Sequence, residues 1–251
     1  MKSMKLRLRR RDKASGKASG KAREATQTWE PGQTGVILCD FWDRHWCQGA
    51  TRRVEALAPQ VQKTLVALRK KGCLIVHAPS DTLAFYEKTP QRERARLAPP
   101  TATAPKLPNR WHSLDAAHEG ALPIDDSDGG CDDTPPCKSY TAWKRQHPLI
   151  EIADVDAISD DGDEILRLFA QRGIQNVFLL GVHTNMCVLG RSFGIRRLVG
   201  LGFEVALIRD LTDTMYNPRQ KPFVAHARGT ELVIQHIETH WCPTLNYSQL
   251  L

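Results

Sequence analysis

Short apolar runs alternate along this chain with segments of helical periodicity, and this alternation is the strongest constraint on its fold. The runs at 36–38 ("VIL") and 176–182 ("NVFLLGV") are apolar almost throughout rather than at every second position. Strands of that kind are buried on both faces, as in a parallel sheet covered by helices. The sequence therefore predicts an α/β domain with three α/β/α layers and a mostly parallel sheet.

The predicted elements follow one another with one long interruption. Strands are expected in "TGVILCD", "CLIVHAP", a piece near "SYTAWKRQHP", "NVFLLGV" and "FEVALIRD". Helices are expected at about 52–71 ended by Gly72, near "DTLAFYEK", at 162–172 ended by Gly173, after Cys187, and near "GTELVIQHIETHW". Residues 81 to about 140 are rich in Pro, Asp and Gly, and they predict an ordered excursion that covers a site.

Basic charge is concentrated at the start of the chain. The formal net charge is +7, whereas the first 25 residues alone hold ten Lys or Arg and two acids. This composition predicts a disordered basic tail over residues 1–28, ahead of a domain spanning 29–251. The functional alternative is a weak contact between this tail and a polyanion such as RNA, DNA or an acidic lipid surface.

The seven cysteines bear on compartment and metal binding. Without an export signal they indicate free thiols in a reducing, cytoplasmic setting. The segment 131–137 ("CDDTPPC") could close a small disulfide loop, but no Cys-x-x-Cys pairing is present and a structural zinc site is not expected. No apolar stretch is long enough to span a bilayer, so no membrane association is expected.

Polar side chains follow the predicted strands where these strands end. They are Asp40, Asp81, His183, Cys187 and Asp210. Ligands of open parallel sheets bind outside the carboxyl ends of the strands. The sequence therefore predicts that these residues share a pocket.

Cys187 lies between a strand and a helix in the segment 181–190 ("GVHTNMCVLG"). A helix N-terminus lowers the pKa of a thiol and offers N–H groups to a developing oxyanion. A nucleophile at this position would gain from both effects, but position alone favours a buried packing residue, because free cysteines are commonly buried. A cysteine nucleophile needs a base, which Asp40 could provide, and a nearby cation, which Lys144 or Arg145 could provide.

The segments "ILCDFWD", "GVHTNMCVLG" and "EVALIRDLTDT" resemble the isochorismatase-like cysteine hydrolases. This Rossmann-like family includes nicotinamidases, carbamoyl-amide hydrolases and isochorismatases, and the resemblance covers roughly residues 33–215. It implies that Asp40 is the catalytic aspartate and Cys187 the nucleophile. It also implies a cis peptide bond between Val182 and His183, with the N–H groups of His183 and Cys187 forming an oxyanion hole.

The third catalytic residue of that family is a lysine, and here the sequence departs from the pattern. Counting back from Cys187 by the spacing usual in that family gives Arg145, and Lys144 is the preceding residue. Neighbouring strand residues point to opposite faces, so only one of the two would enter the pocket, and Arg145 is preferred. An arginine could orient Asp40 and stabilise charge, but it could not release a proton.

Some nicotinamidases hold a metal through an Asp-x-His pair after the second strand. Here Asp81 is followed two positions later by Leu83, and His77 lies inside the strand. No metal and no cofactor are therefore expected. Trp42, Asp43 and His183 are predicted to contact the substrate.

The resemblance implies a cysteine-dependent hydrolase that cleaves a small amide, imide or carbamoyl compound through a thioester intermediate. Its partner would be this small-molecule substrate, and a homo-oligomer is expected. The alternative is a protein of the same fold that only binds a small ligand, or whose Cys187 senses oxidation.

Overall fold

One eight-stranded sheet organises the chain in a computed structural model, which describes residues 2–13, 20–101 and 105–251. Its strands are β1 (Met4–Arg11), β2 (Ala22–Trp29), β3 (Thr34–Cys39), β4 (Leu74–Ala78), β5 (Ala157–Ile158), β6 (Asn176–Val182), β7 (Glu204–Asp213) and β8 (Thr244–Leu245). Their order across the sheet is β2-β1-β8-β7-β6-β3-β4-β5. All neighbours from β8 to β5 pair in parallel, and β1 runs antiparallel to both β2 and β8. The predicted mostly parallel sheet is confirmed.

Helices cover both faces of this sheet. They are α1 (Gln48–Lys71), α2 (Leu83–Tyr86), α3 (Pro90–Arg96), α4 (Ala116–Glu119), α5 (Gly162–Arg172), α6 (Cys187–Gly190), α7 (Ile195–Gly200) and α8 (His226–His240). Alternate residues of the central strands enter two separate cores, one packed by α1 and the other by α5, α7 and α8. The chain therefore has the three predicted layers. Gly72 and Gly173 adopt left-handed conformations that end α1 and α5, as predicted.

The strand predicted near "SYTAWKRQHP" is wrong. This segment makes only an isolated bridge between Trp42 and Gln146. The backbone amides of Lys144 and Arg145 lie 3.0 and 3.5 Å from the Asp43 carboxylate, so the loop satisfies them without a strand ladder.

The disorder predicted for residues 1–28 is also wrong where the structure describes them. Strands β1 and β2 form an antiparallel hairpin at the edge of the sheet, while residues 1 and 14–19 of the predicted tail lie outside the described residues. Apolar and basic residues alternate along β1, and this period of two places Leu6 and Leu8 in the α1 core while Lys5 and Arg7 face solvent. The high charge belongs to the outer face of a strand.

This packing predicts that Leu6→Ala destabilises the protein. Removing a fully buried leucine side chain should lower the free energy of unfolding by about 2–5 kcal/mol, measured by denaturant unfolding. The matched control is Lys5→Ala on the opposite face of β1, which should change it by no more than about 0.5 kcal/mol. Equal, small effects of both substitutions would contradict a packed hairpin.

The predicted excursion is present, and α2 confirms the short helix expected near "DTLAFYEK". Residues 102–104 of the excursion lie outside the described residues. Its later part packs over α6 and α7: the His112 amide donates to the Gly190 carbonyl at 2.7 Å, and Arg196 pairs with Glu119 at 2.7 Å. Within the described ranges, no helix combines the length and the apolar character needed to cross a bilayer.

Candidate active site

The ends of the adjacent strands β3 and β6 bring Asp40 and Cys187 together. Asp40 follows β3 directly and is 0% exposed, and Cys187 begins α6 and is 8% exposed. The Ser80 amide donates to Asp40 Oδ1 at 2.8 Å, and interaction with the Cys187 thiol lowers the pKa of the same carboxylate. Asp40 has φ 47°, a left-handed conformation that is uncommon outside glycine and recurs at functional sites.

Arg191 supplies the cation of this site. Its Nε lies 3.0 Å from Asp40 Oδ2, and its guanidinium also reaches Asp81 at 3.4 Å on the solvent side. The Asp40 carboxylate thus lies between a thiol, a guanidinium and a backbone N–H. A buried carboxylate needs such partners, because an unpaired charge is strongly disfavoured away from water.

Sequence reasoning missed Arg191, although the signal was present. Arg191 stands four residues after Cys187, and its amide donates to the Cys187 carbonyl at 3.0 Å, one helical turn away. Residues four apart on a helix lie on the same face. The motif "CVLGR" therefore carries the thiol and the cation together.

Lys144 and Arg145 occupy a different environment from the one expected of a catalytic cation. Both are exposed in the loop after the excursion, and the Arg145 guanidinium lies 5.6 Å from the centre of the Phe85 ring. Among the described residues, the structure places Arg191, and neither of these two, against Asp40. The expected spacing assumed a strand at 139–148 that does not form.

Burial and neighbouring charges shift the pKa values of Asp40, Cys187 and Arg191. Burial raises the pKa of Asp40, and Arg191 and the Cys187 thiol oppose this increase. Burial and the neighbouring Asp40 raise the pKa of Cys187, and Arg191 opposes this. Burial tends to lower the pKa of Arg191, but Asp40 and Cys187 outweigh it, so the guanidinium stays charged. Asp40 is therefore suited to accept the thiol proton.

The segment 183–187 carries two backbone N–H groups that have no partner among the described residues. The peptide bond between Val182 and His183 is cis, as the resemblance implied. The amides of Met186 and Val188 both donate to the His183 carbonyl, whereas the amides of His183 and Cys187 have no partner among the described residues. These two free donors are available to a substrate oxygen.

Of the three predicted substrate contacts, Trp42 and Asp43 are engaged within the protein, whereas His183 keeps a free ring nitrogen. Trp42 stacks on Trp143 at 4.1 Å between ring centres, and its Nε1 donates to the Ser80 carbonyl at 3.0 Å. Asp43 binds the backbone of the loop that follows the excursion. His183 is buried with its Nε2 unpartnered, and burial, with His45 4.9 Å away, lowers its pKa to about 3. His183 is thus a neutral imidazole with a free ring nitrogen.

The predicted strand-end group is only partly assembled. Asp81 reaches the site through Arg191, whereas Asp210 accepts the Tyr247 amide at 2.9 Å. His77 is fully buried between Gln146 and Asp156, at 2.9 and 3.0 Å. His77 is therefore a packed and hydrogen-bonded residue of β4.

Comparisons with known proteins place the fold. No family model and no curated protein matches the sequence. A cysteine hydrolase from Pseudomonas syringae pv. phaseolicola superposes with a TM-score of 0.53 and 14% identity, over 88% of this chain and 92% of that chain. An isochorismatase from Pseudomonas putida superposes with a TM-score of 0.53 and 11% identity, over the same shares of the two chains. This chain has the isochorismatase-like fold.

In this isochorismatase-like fold, the excursion lies against the helix that carries Cys187. The Arg191 guanidinium lies 5.9 Å from the centre of the Trp111 ring. A Cβ at Gly190 would come within 2.6 Å of that ring, so only glycine allows the close approach. The excursion thereby packs against Gly190 and Arg191.

Proposed function

We propose that this protein is a cysteine-dependent hydrolase of a small amide, imide or carbamoyl compound, acting on C–N bonds other than peptide bonds. The observation that carries the proposal is the buried Asp40 carboxylate shared by the Cys187 thiol and the Arg191 guanidinium. Covalent catalysis requires a nucleophile, a general base and a group that orients the base, and Cys187, Asp40 and Arg191 bring these three groups to one site. A cysteine hydrolase that shares the fold supports cysteine-dependent hydrolysis.

The reaction follows from these contacts. Asp40 accepts the thiol proton, and the Cys187 sulfur forms a bond to the substrate carbonyl carbon. The free N–H groups of His183 and Cys187 hold the oxyanion. Asp40 returns its proton to the leaving nitrogen, the C–N bond breaks and a thioester remains. Water, activated by Asp40, attacks the thioester, the acid leaves and the proton returns to the sulfur.

Arg191 acts by charge and position in this scheme. A guanidinium remains protonated throughout, so it cannot donate a proton to the leaving group. It orients Asp40 and favours the thiolate over the thiol, because a nearby cation stabilises negative charge. All proton transfers therefore pass through Asp40.

The proposal is tested by ammonia or amine release from a panel of small amides, imides and carbamoyl compounds, with and without hydroxylamine. Hydrolysis through a thioester should give hydroxamate in place of part of the acid. Prior treatment with iodoacetamide should stop turnover, and peptide mapping should place the modification on Cys187. Rapid alkylation of Cys187 without turnover of any compound would favour a redox-sensing thiol, and slow alkylation would favour a ligand-binding protein.

A further inference from the structure

A second cluster of reactive side chains lies at the N-terminus of α1. It consists of three thiols around one carboxylate, and we call it the Cys3Asp cluster: Cys47, Cys131, Cys137 and Asp133. The three Sγ atoms lie 3.3, 3.6 and 3.3 Å from the same oxygen, Asp133 Oδ2. Cys47 precedes α1, whereas the other members come from the excursion, so folding brings together groups that are distant in sequence.

Hydrogen bonding alone does not account for this arrangement. Asp133 Oδ2 also accepts the Gly49 amide at 3.0 Å, so four donors converge on one oxygen. A carboxylate oxygen offers about two lone pairs, and thiols are weak donors. Cys47 has a second acceptor, Asp132 Oδ1 at 3.6 Å, which leaves the Cys131 and Cys137 thiols and the Gly49 amide to compete for Asp133 Oδ2. A cation bound between the thiolates and this carboxylate would remove that competition.

The sulfur–oxygen distances fit those between the ligands of a tetrahedral zinc ion. Zn–S bonds of about 2.3 Å and Zn–O bonds of about 2.0–2.2 Å place tetrahedral sulfur and oxygen ligands about 3.5 Å apart. The three observed Sγ–Oδ2 distances range from 3.3 to 3.6 Å. The ligand atoms of Cys47, Cys131 and Asp133 all lie within 4.8 Å of one another, whereas Cys137 is not part of this mutually close set and adjoins it through Asp133 Oδ2 at 3.3 Å.

We propose that the Cys3Asp cluster binds one Zn²⁺ ion as a structural metal site, which the spacing of the cysteines did not predict. Three thiolates select a thiophilic ion such as Zn²⁺ over Mg²⁺ or Ca²⁺, which prefer oxygen ligands. Cys47, Cys131 and Asp133 would hold the ion, and with Cys137 as the fourth ligand no position would stay open for a substrate.

The surroundings supply the charge and the N–H groups that such a site needs. Three thiolates, one carboxylate and Zn²⁺ leave two negative charges. Arg52 lies 3.0 Å from Asp133 Oδ1, and Arg219 donates to the Asp133 carbonyl at 3.0 Å. The Ala50 amide donates to Cys47 Sγ at 3.4 Å, as expected of groups that orient metal ligands.

Packing excludes water from the inner side of the cluster. Cys47 and Cys131 are buried against Ala50 and Met215, and the half-buried Cys137 lies nearer solvent. A Cβ at Gly49 would come within 2.4 Å of Asp132 Oδ1, so glycine allows the loop to reach the helix.

A bound metal ion would link the excursion, through Cys131 and Asp133, to the N-terminus of α1, through Cys47. Within 105–150, the described excursion contains one regular helix, the four-residue α4, so little secondary structure holds it. Met186, which precedes Cys187, also packs against the cluster. The metal would therefore stabilise the layer beside the Cys187 helix without entering the reaction.

The test uses the full-length protein purified under reducing conditions. Elemental analysis should find about one zinc per chain. The metal-free protein titrated with Co²⁺ alone should develop a sulfur-to-cobalt charge-transfer band at one equivalent. In Cys131→Ser and Cys137→Ser, Co²⁺ affinity should fall at least tenfold. Cys73→Ser, at a buried cysteine outside the cluster, should bind as the wild type does.

Two further measurements keep the proposal falsifiable if a cluster variant fails to fold. The charge-transfer band should persist in Cys187→Ala, which excludes the Cys187 thiol as its source. A chelator should lower the melting temperature of the wild type, because a ligand of the native state stabilises that state. Absence of the Co²⁺ band in reduced wild type would overturn the proposal, and so would an unreduced protein in which Cys131 and Cys137 form a disulfide.

Discussion

Replacing Cys187 by alanine is expected to reduce turnover of the best substrate to the background rate. The loss in kcat should be about 10⁴-fold or more, because without the sulfur the covalent route is closed. Cys39 is not expected to replace it, because this fully buried thiol is engaged with the Val182 carbonyl at 3.8 Å. The measurement is steady-state product release by wild type and variant at equal concentration.

Cys73→Ser is the matched control, since Cys73 is a buried thiol that packs in the α1 core away from Asp40. It should keep near-wild-type turnover, and circular dichroism should show that both variants are folded. Cys187→Ser is a stricter variant, because its hydroxyl preserves the shape of the site but is a far weaker nucleophile beside the same base. Substantial turnover in a folded Cys187→Ala protein would refute the covalent mechanism.

Removing the Arg191 guanidinium is expected to have the second largest effect. Arg191→Ala should lower kcat/KM by about 10²–10³-fold, which is typical for loss of one preorganised electrostatic contact. Arg191→Lys keeps a positive charge without the planar fork and should lose less. Lys144→Ala and Arg145→Ala are the matched controls, and both should stay within a few-fold of wild type because these residues are exposed and lie outside the Asp40 site.

The pH profile separates an electrostatic role of Arg191 from a merely structural one. Activity requires ionised Asp40 as the base, so kcat/KM falls as the pH drops below the pKa of Asp40. Arg191 lowers that pKa against the effect of burial. In Arg191→Ala the pKa of Asp40 should rise further, and the acid limb should move to higher pH. An unshifted limb, or a larger loss in Lys144→Ala or Arg145→Ala, would contradict this assignment.

The sequence pattern was sufficient to predict secondary structure in segments that show a single hydrophobic periodicity. Apolar runs such as 176–182 are buried on both faces, so their composition alone predicts central parallel strands. The C-terminal ends of parallel neighbours meet at one edge, and Asp40 and Cys187 were therefore predicted to lie together. Helices ended by Gly72 or Gly173 followed from the left-handed conformation that glycine accepts.

Local pattern failed where two signals compete in the same segment. In β1, charge indicates disorder whereas the alternation of Leu6 and Leu8 with basic residues indicates a strand. The strand forms because its apolar face, with Leu6 and Leu8, is buried in the core packed by α1. At 139–148 the apolar and aromatic residues suggested a strand, but Asp43 binds the backbone instead.

By itself the sequence determined the order and type of the central elements and the meeting of Asp40 with Cys187 at one edge of the sheet, because these depend on short-range periodicity and on strand polarity. Only the tertiary structure decided which cation faces Asp40 and which thiols converge on Asp133. The chain contains 35 Lys or Arg and seven Cys, and their spacing in the sequence does not show which of them lie beside Asp40 or Asp133. Coulombic and ligand contacts act over a few ångströms of space, and the path of the excursion sets those distances.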